Sequence, residues 1–251
     1  MIPKIIHYCW FGHKPLPRLA KRCIASWKKY LPEYDIKEWN EDNFDVNIIP
    51  YTAEAYQVRK YAFVSDYARF WVLYHYGGLY FDTDVEIIKP LDNIIAHGPF
   101  MGSEKDAGTD EQIGVNPGLG LGAPSGLKLY KDMLEKYQDR HFVLSNGIYN
   151  QLTVVEYVTE LLVCEGLRIL PEIQEIGGIT IYPKDYFCPK NYQTGEMEIT
   201  SNTVSIHHYG ATWVPVEQKI ERKLWRILHV KRHPLITFHI DRMLNRLGIK
   251  R

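Results

Sequence analysis

Disulfide and zinc-finger patterns are missing from this 251-residue sequence. Its four cysteines, Cys9, Cys23, Cys164 and Cys188, form no C-x-x-C pair and show no metal-ligand spacing. That excludes a cysteine-built metal centre and fits unpaired thiols in a reducing compartment. No apolar run is long enough to span a bilayer. The opening Met-Ile-Pro-Lys-Ile-Ile-His enters a strand at once, which leaves no room for a signal peptide, so the expected location is cytoplasmic. A glycine-rich phosphate loop with its lysine is also absent. The run Gly118-Leu-Gly-Leu-Gly122 lacks the lysine and follows no clear strand. This argues against the rival nucleotidyl- or phosphotransferase class. There is no internal repeat, low-complexity tract or linker.

Net charge is zero, with 30 Lys/Arg against 30 Asp/Glu, but the balance is local. Residues 217–251 hold ten Lys/Arg against three acids, Glu217, Glu221 and Asp241. The tail therefore carries +7 and the rest −7. Its charges share helical spacing with Ile220, Leu224, Ile227 and Leu228, then with Leu235, Phe238, Met243 and Leu247. This speaks against a nucleic-acid partner. It leaves open packing on the body or peripheral docking on an anionic membrane.

What is present reads as an α/β enzyme. Ile2 to Phe11 is expected as a buried first strand, followed by a helix with Leu16, Leu19, Cys23 and Trp27 on one face. Tyr34 to Trp39 alternates as a second strand. A long helix should run from Pro50 to about Tyr76 and stop at Gly77-Gly78. Leu79 to Ile88 then reads as a strand. Loops with short strands are expected from Gly98 to Pro124, and helices near 125–138 and 147–163. Short strands are expected near 168–170, 179–182 and 203–208. This order argues for a largely parallel sheet. Residues 1–213 are expected to form the domain and 214–251 a basic helical extension.

Asp82 and Asp84 carry the chemistry. On a strand, residues two apart share a face, so both carboxylates would project together after Leu79-Tyr-Phe81. Two such charges repel unless a divalent cation lies between them, and Mn²⁺ or Mg²⁺ suits oxygen donors that also meet substrate phosphates. Asp66 and Arg69 share a helical face. They are either an intrahelical ion pair or a grip on donor hydroxyls and charge. His207 and His208 are adjacent on a strand, so one of them can reach a metal there. A non-catalytic sugar-binding module, with the aspartates as a plain turn, is the remaining alternative.

The order Ile-Pro-Lys-Ile-Ile-His-x-x-Trp, Ser-Asp-Tyr-x-Arg, Tyr-Gly-Gly-Leu-Tyr-x-Asp-x-Asp and His-His-x-x-x-x-Trp, over residues 2–213, resembles family 32 of the glycosyltransferases. That family holds Och1-like mannosyltransferases and bacterial polysaccharide enzymes. The likeness extends more distantly to the large glucosylating bacterial toxins. The resemblance implies a GT-A, Rossmann-like nucleotide-sugar-binding fold and a retaining, metal-dependent transfer. Manganese is the favoured ion. The donor would be a nucleotide sugar, a UDP-hexose by preference. The acceptor would be a saccharide or a lipid-linked oligosaccharide in polysaccharide assembly. It further implies that Trp10 stacks on the donor base, that Asp66 and Arg69 bind the donor sugar, and that Tyr80 lines the nucleotide pocket. Asp82, Asp84 and His208 would hold the metal, Asn116 would approach the sugars, and Trp213 would sit by the leaving phosphate. The segment Ser145-Asn-Gly-Ile-Tyr149 departs from the family's commoner Thr-Gly-Pro.

Overall fold

The computed structural model describes residues 1–105, 114–168, 170–192 and 194–210. Two compact units divide the chain. The first comprises residues 1–189 and 198–210, the second 190–197 and 211–251. Within the second unit, the Asn191 N–H meets Glu196 O at 2.8 Å. The expected tail helices, Trp213 and the 213/214 boundary lie outside the described residues.

The first unit begins with β1 (Ile5–Cys9), α1 (Arg18–Tyr30), β2 (Asp35–Trp39), α2 (Pro50–Gln57) and α3 (Tyr61–Tyr76). It continues through β3 (Gly78–Tyr80), β4 (Val85–Ile87), α4 (Asp92–Ala96), β5 (Phe100–Lys105), β6 (Gly114–Asn116) and β7 (Leu121–Ala123). Then come α5 (Lys128–Gln138), α6 (Val154–Cys164), β8 (Gln174–Ile176), β9 (Ile179–Tyr182), α7 (Lys184–Phe187) and β10 (Ser205–His207). The main sheet has the order β2-β1-β3-β7-β5-β9-β8, with β6 added to β5. The α/β class is as expected, but the sheet is mixed. Its parallel pairs are β1 with β2, β1 with β3 and β5 with β9. Strand β7 runs antiparallel between β3 and β5.

Helix α3 is apolar on several sides because it is sandwiched in the core: Phe63, Val64, Tyr67, Ala68, Phe70, Val72 and Leu73 are all buried. The single helix expected from Pro50 to Tyr76 is in fact two. Arg59 turns left-handed at φ 59, and the Lys60 N–H closes on Ala55 O at 2.8 Å. No glycine or proline marks this break. At the other end Gly77 (φ 64) caps α3, and its N–H meets Leu73 O at 2.9 Å. A Cβ on Gly78 would lie 2.6 Å from Ile5 O, so the backbone of β3 can pass β1 only without a side chain there. Of the strand expected at 168–170, the described residues 168 and 170 lie in no strand, and the next strand is β8.

His7, part of the N-terminal pattern, is a structural residue. It is fully buried on β1, accepts from the Trp39 indole N–H at Nδ1 (3.0 Å) and donates from Nε2 to Gly77 O (2.9 Å). Burial pulls its pKa down to about 4, against the Gly77 hydrogen bond. Between about 4 and the unperturbed value near 6.5, the unfolded chain therefore binds more protons than the folded one. Stability should fall as pH drops through that window, by up to about 1.4 kcal/mol per pH unit. Urea titrations at pH 7 and pH 5 should show this loss, and His7→Gln, which cannot titrate, should flatten it.

Candidate active site

The two aspartates do not sit on a strand. Strand β3 ends at Tyr80 in the main sheet, and β4 starts at Val85 in a separate two-stranded sheet with β10. Asp82 and Asp84 occupy the turn between them, closed by the Val85 N–H on Asp82 O at 3.0 Å. The expected shared strand face is therefore corrected. The carboxylates are brought together by a corner where the chain leaves one sheet for another. That corner follows the C-terminal end of β3, which is paired in parallel with β1. Ligands of open α/β sheets gather at this kind of edge.

Asp82 is held from three directions. Its N–H donates to Gly118 O at 3.1 Å. Its Oδ1 accepts from the Tyr80 hydroxyl at 3.0 Å and lies 3.4 Å from Arg69 Nη2. Arg69 also donates from Nη2 to Asp66 Oδ1 at 2.8 Å and from Nε to Ser65 O at 3.2 Å. The Asp66–Arg69 pair is thus the intrahelical ion pair that the spacing allowed, and Arg69 also reaches the aspartate turn. Burial pushes the Asp66 carboxyl up to about 7, although Arg69 opposes it. Burial and then Asp84 also push Asp82 up, against Arg69. The Asp82 charge pulls the Arg69 guanidinium above its usual range despite burial. One Arg69 nitrogen, Nη1, is buried and meets no hydrogen-bond partner among the described residues.

Asp84 faces β10 and the residues that follow it. Its Oδ2 accepts from the Gly210 N–H at 2.7 Å, and its backbone oxygen accepts from the His208 N–H at 2.9 Å. His207 Nε2 lies 3.4 Å from Asp84 Oδ1. Burial would raise this carboxyl, but the His207 imidazole and the Gly210 N–H outweigh it and hold the group at about 2. Tyr209 adopts a left-handed φ of 52, which swings Gly210 back onto the aspartate. The His207 ring, rather than that of the expected His208, is the one in contact with Asp84. His207 meets Asp84, whereas His208 Nε2 contacts Glu86 Oε2 at 2.6 Å and Arg22 at 3.1 Å. The His208 ring ties β10 to β4 and to helix α1.

The remaining expected residues divide between the rim and the support. Trp10 is half-buried just past the end of β1, and its indole N–H donates to Lys14 O at 2.5 Å. Tyr80 is 1 % exposed, so it supports Asp82 from beneath and does not line an open pocket. Asn116 is buried, donates to Glu104 at 2.8 Å and accepts the Gly118 N–H at 2.6 Å. It shapes the loop that carries Gly118.

Gly118 was not singled out from the sequence, because a glycine in a Gly/Pro-rich loop looks like any other. A Cβ there would fall 2.1 Å from Asp82 Oδ2 and 3.0 Å from Asn116 Oδ1. Gly118→Ala should keep the fold but displace the Asp82 carboxylate. The expected cost is on the order of a hundredfold in kcat/KM for donor turnover, the scale of a 1 Å misplacement. Near-UV circular dichroism should remain unchanged.

The donor set is two carboxylates and an imidazole, with Asp82 Oδ2 pressed into a cradle that a Cβ would fill. In kind this suits a divalent cation, the imidazole favouring manganese over magnesium. Among the described residues, no group of three or more His, Cys, Asp or Glu side chains is already gathered closely enough to hold one.

Comparison with known proteins finds a DXD-motif family and glycosyltransferase relatives. The family described as "Glycosyltransferase sugar-binding region containing DXD motif" matches residues 17–101. Inositol phosphoceramide mannosyltransferase 1 of Schizosaccharomyces pombe is 25% identical over 154 residues, covering 56% of this chain and 45% of its own length. A glycosyltransferase of Acanthamoeba polyphaga mimivirus is 32% identical over 111 residues, 42% of this chain and 44% of its own. The chain thus spans less than half the length of these relatives. A solved structure titled "PaToxG Glycosyltransferase" aligns with a TM-score of 0.47 and 20% identity, covering 66% of this chain and 70% of that one. The matched residues contain a single D-x-D. Residues 17–101 therefore match a glycosyltransferase sugar-binding region, and Asp82-Thr83-Asp84 is the D-x-D within the match.

Proposed function

We propose that the chain is a retaining glycosyltransferase on a GT-A type of sheet, moving a hexose from a nucleotide sugar to a saccharide acceptor, preferably one anchored to lipid. The observation that carries this reading is Arg69. It bridges Asp66 and Asp82 and keeps a buried nitrogen unpaired beside the aspartate turn. A buried donor without a partner is costly unless a ligand satisfies it. A phosphate or sugar oxygen of the donor would do so.

In this reading the Asp66–Arg69 pair orients the sugar, and Trp10 at the rim offers a face for the base. Asp82, Asp84 and His207 would hold a divalent cation, which supplies charge neutralisation for the departing diphosphate. Tyr80, Gly118 and Asn116 keep Asp82 in place. No carboxylate declares itself as a nucleophile, so the acceptor proton is assigned to the departing phosphate on the same face. Trp213 and a membrane-docking role for residues 217–251 remain part of the proposal. The relatives named as inositol phosphoceramide mannosyltransferases support a lipid-anchored acceptor and make mannose a sugar to try in the donor.

A panel of nucleotide sugars with Mn²⁺ tests the reading. Release of nucleoside diphosphate, and an α-linked product from an α-configured donor, are expected. Release of pyrophosphate would instead identify a nucleotidyltransferase, and a β-linked product would remove the same-face mechanism. For the histidines, His207→Ala should raise the Mn²⁺ concentration needed for half-maximal rate by at least about tenfold, the low end for lost metal-site groups. His208→Ala should act more weakly, through the Glu86–Arg22 contact. Equal Mn²⁺ curves for His207→Ala and the parent would refute the assignment.

A further inference from the structure

We infer that Tyr209, clamped at its hydroxyl by the Cys188 thiol, is a positioning residue that holds Asp84 and His207 in fixed relation for a divalent cation. The inference rests on the metal-site reading proposed above, in which Asp84 and His207 are donors. It adds two residues that act through those donors.

The backbone is the first reason. Tyr209 lies in the left-handed region at φ 52, where the side chain of any residue but glycine crowds the backbone. Such conformations persist where the surroundings impose them, and they gather at ligand sites. Here the turn directs two neighbouring N–H groups at one aspartate. Gly210 donates to Asp84 Oδ2 at 2.7 Å, and His208 donates to Asp84 O at 2.9 Å. A Cβ on Gly210 would lie 3.3 Å from Asp84 Cβ and 3.1 Å from Leu19 Cδ2, so the approach is close.

The ring is the second reason. Its centroid is 4.2 Å from that of the His207 imidazole, with the planes 47° apart. His207 is 8 % exposed, with Nε2 3.4 Å from Asp84 Oδ1. Its other nitrogen, Nδ1, is buried and meets no partner in hydrogen-bond geometry among the described residues. A metal-ligating histidine is ordinarily oriented by a hydrogen bond at its second nitrogen. Here the packed tyrosine ring orients it instead. Burial would lower the imidazole pKa, but Asp84 and then Cys188 raise it well above its ordinary range, so the thiol lies near this ring too.

The clamp is the third reason. Tyr209 Oη and Cys188 Sγ are 3.0 Å apart. Cys188 is fully buried at the C-terminal end of α7, where its N–H donates to Lys184 O at 2.8 Å. Helix α7 is tied to β10 in turn. Tyr186 O accepts the Val204 N–H at 2.8 Å, and Phe187 O accepts the Ser205 hydroxyl at 3.3 Å. The Phe187 ring stacks on Phe100 of β5, with centroids 5.7 Å apart. The thiol is therefore a fixed point anchored in the main core, and Tyr209 carries that fixity to both donors.

Mn²⁺ binding to the full chain, followed by the electron paramagnetic resonance signal of the free ion, tests this. Tyr209→Phe keeps the ring and loses the hydroxyl, and Cys188→Ala removes the thiol. Each should weaken Mn²⁺ binding about tenfold, the low end for groups that orient metal ligands. The double variant should be no weaker than either single one, because both remove the same contact. Cys188→Ser can still meet the tyrosine hydroxyl and should bind within about threefold of the parent. A lower melting temperature with parent-like Mn²⁺ binding would show a packing role alone and overturn the clamp. So would additive losses in the double variant, or equal losses in Cys188→Ser and Cys188→Ala. If Cys188→Ala does not fold, Tyr209→Phe, which removes a single oxygen, decides alone. Weakened binding in His207→Ala beside parent-like binding in Tyr209→Phe leaves the metal site standing and removes only the clamp. Parent-like binding in His207→Ala, or none in the parent, removes the metal site and the clamp with it.

Discussion

Replacing either aspartate by asparagine should reduce donor hydrolysis by at least about a hundredfold, the effect of removing one preorganised charge-stabilising group. Asparagine keeps the shape and some hydrogen bonds of the turn, so the loss reports charge more than folding. Asp84→Asn is expected to be the more severe. This carboxylate stays charged to about pH 2 because His207 and the Gly210 N–H hold it down, and it is the one that joins the first sheet corner to β10. Asp82→Asn removes the Arg69 contact as well and should also raise the donor KM. Initial rates in Mn²⁺, with excess EDTA as the parallel control, measure both. Rates within threefold of the parent for both variants, or full activity in EDTA, would remove the aspartate pair from the mechanism.

Arg69→Ala should be the most destabilising single change at the site. Arg69 is 3 % exposed and is shared between Asp66 and Asp82, so its loss leaves the buried Asp66 and the half-buried Asp82 without the cation they share. Removing one partner of a buried ionic set costs about 3–5 kcal/mol. At 2–4 °C per kcal/mol for a chain of this size, the melting temperature should fall by roughly 10 °C. Adding Asp66→Asn should recover part of the stability, because it removes one of the stranded charges, but no activity. Arg69→Lys keeps the charge without the fork that reaches both carboxylates, and should retain more stability than activity. Additive effects of Arg69→Ala and Asp66→Asn on thermal unfolding would show that the two side chains are not coupled.

Local chemistry was readable where it depends on near neighbours in sequence. Asp66 and Arg69 are three apart on a helix, and they do meet. Gly77 caps α3 as its position after a long apolar helical pattern indicates. The reading failed at Arg59, where a left-handed arginine breaks what looked like one helix, because arginine, unlike glycine or asparagine, carries no sequence mark for that conformation. Burial was equally unmarked at Tyr80, for which the resemblance implies a place lining the nucleotide pocket. The aromatic ring is instead core, with only its hydroxyl engaged by Asp82.

By itself the sequence determined the residue types at the site and their local spacing: a D-x-D after an apolar strand, an acid–arginine pair on the neighbouring helix, and two histidines on a late strand. Those follow from period and composition, which each segment carries alone. Tertiary structure decided which atoms meet. Gly118 lies 36 positions from Asp82 and reaches it because β7 pairs antiparallel with β3. Whether His207 or His208 faces Asp84 depends on the register of β10 against β4, where His207 pairs with Val85. A shift of one residue would exchange the two rings. Register and strand order are set by packing across the whole core, so no local pattern could have chosen between them.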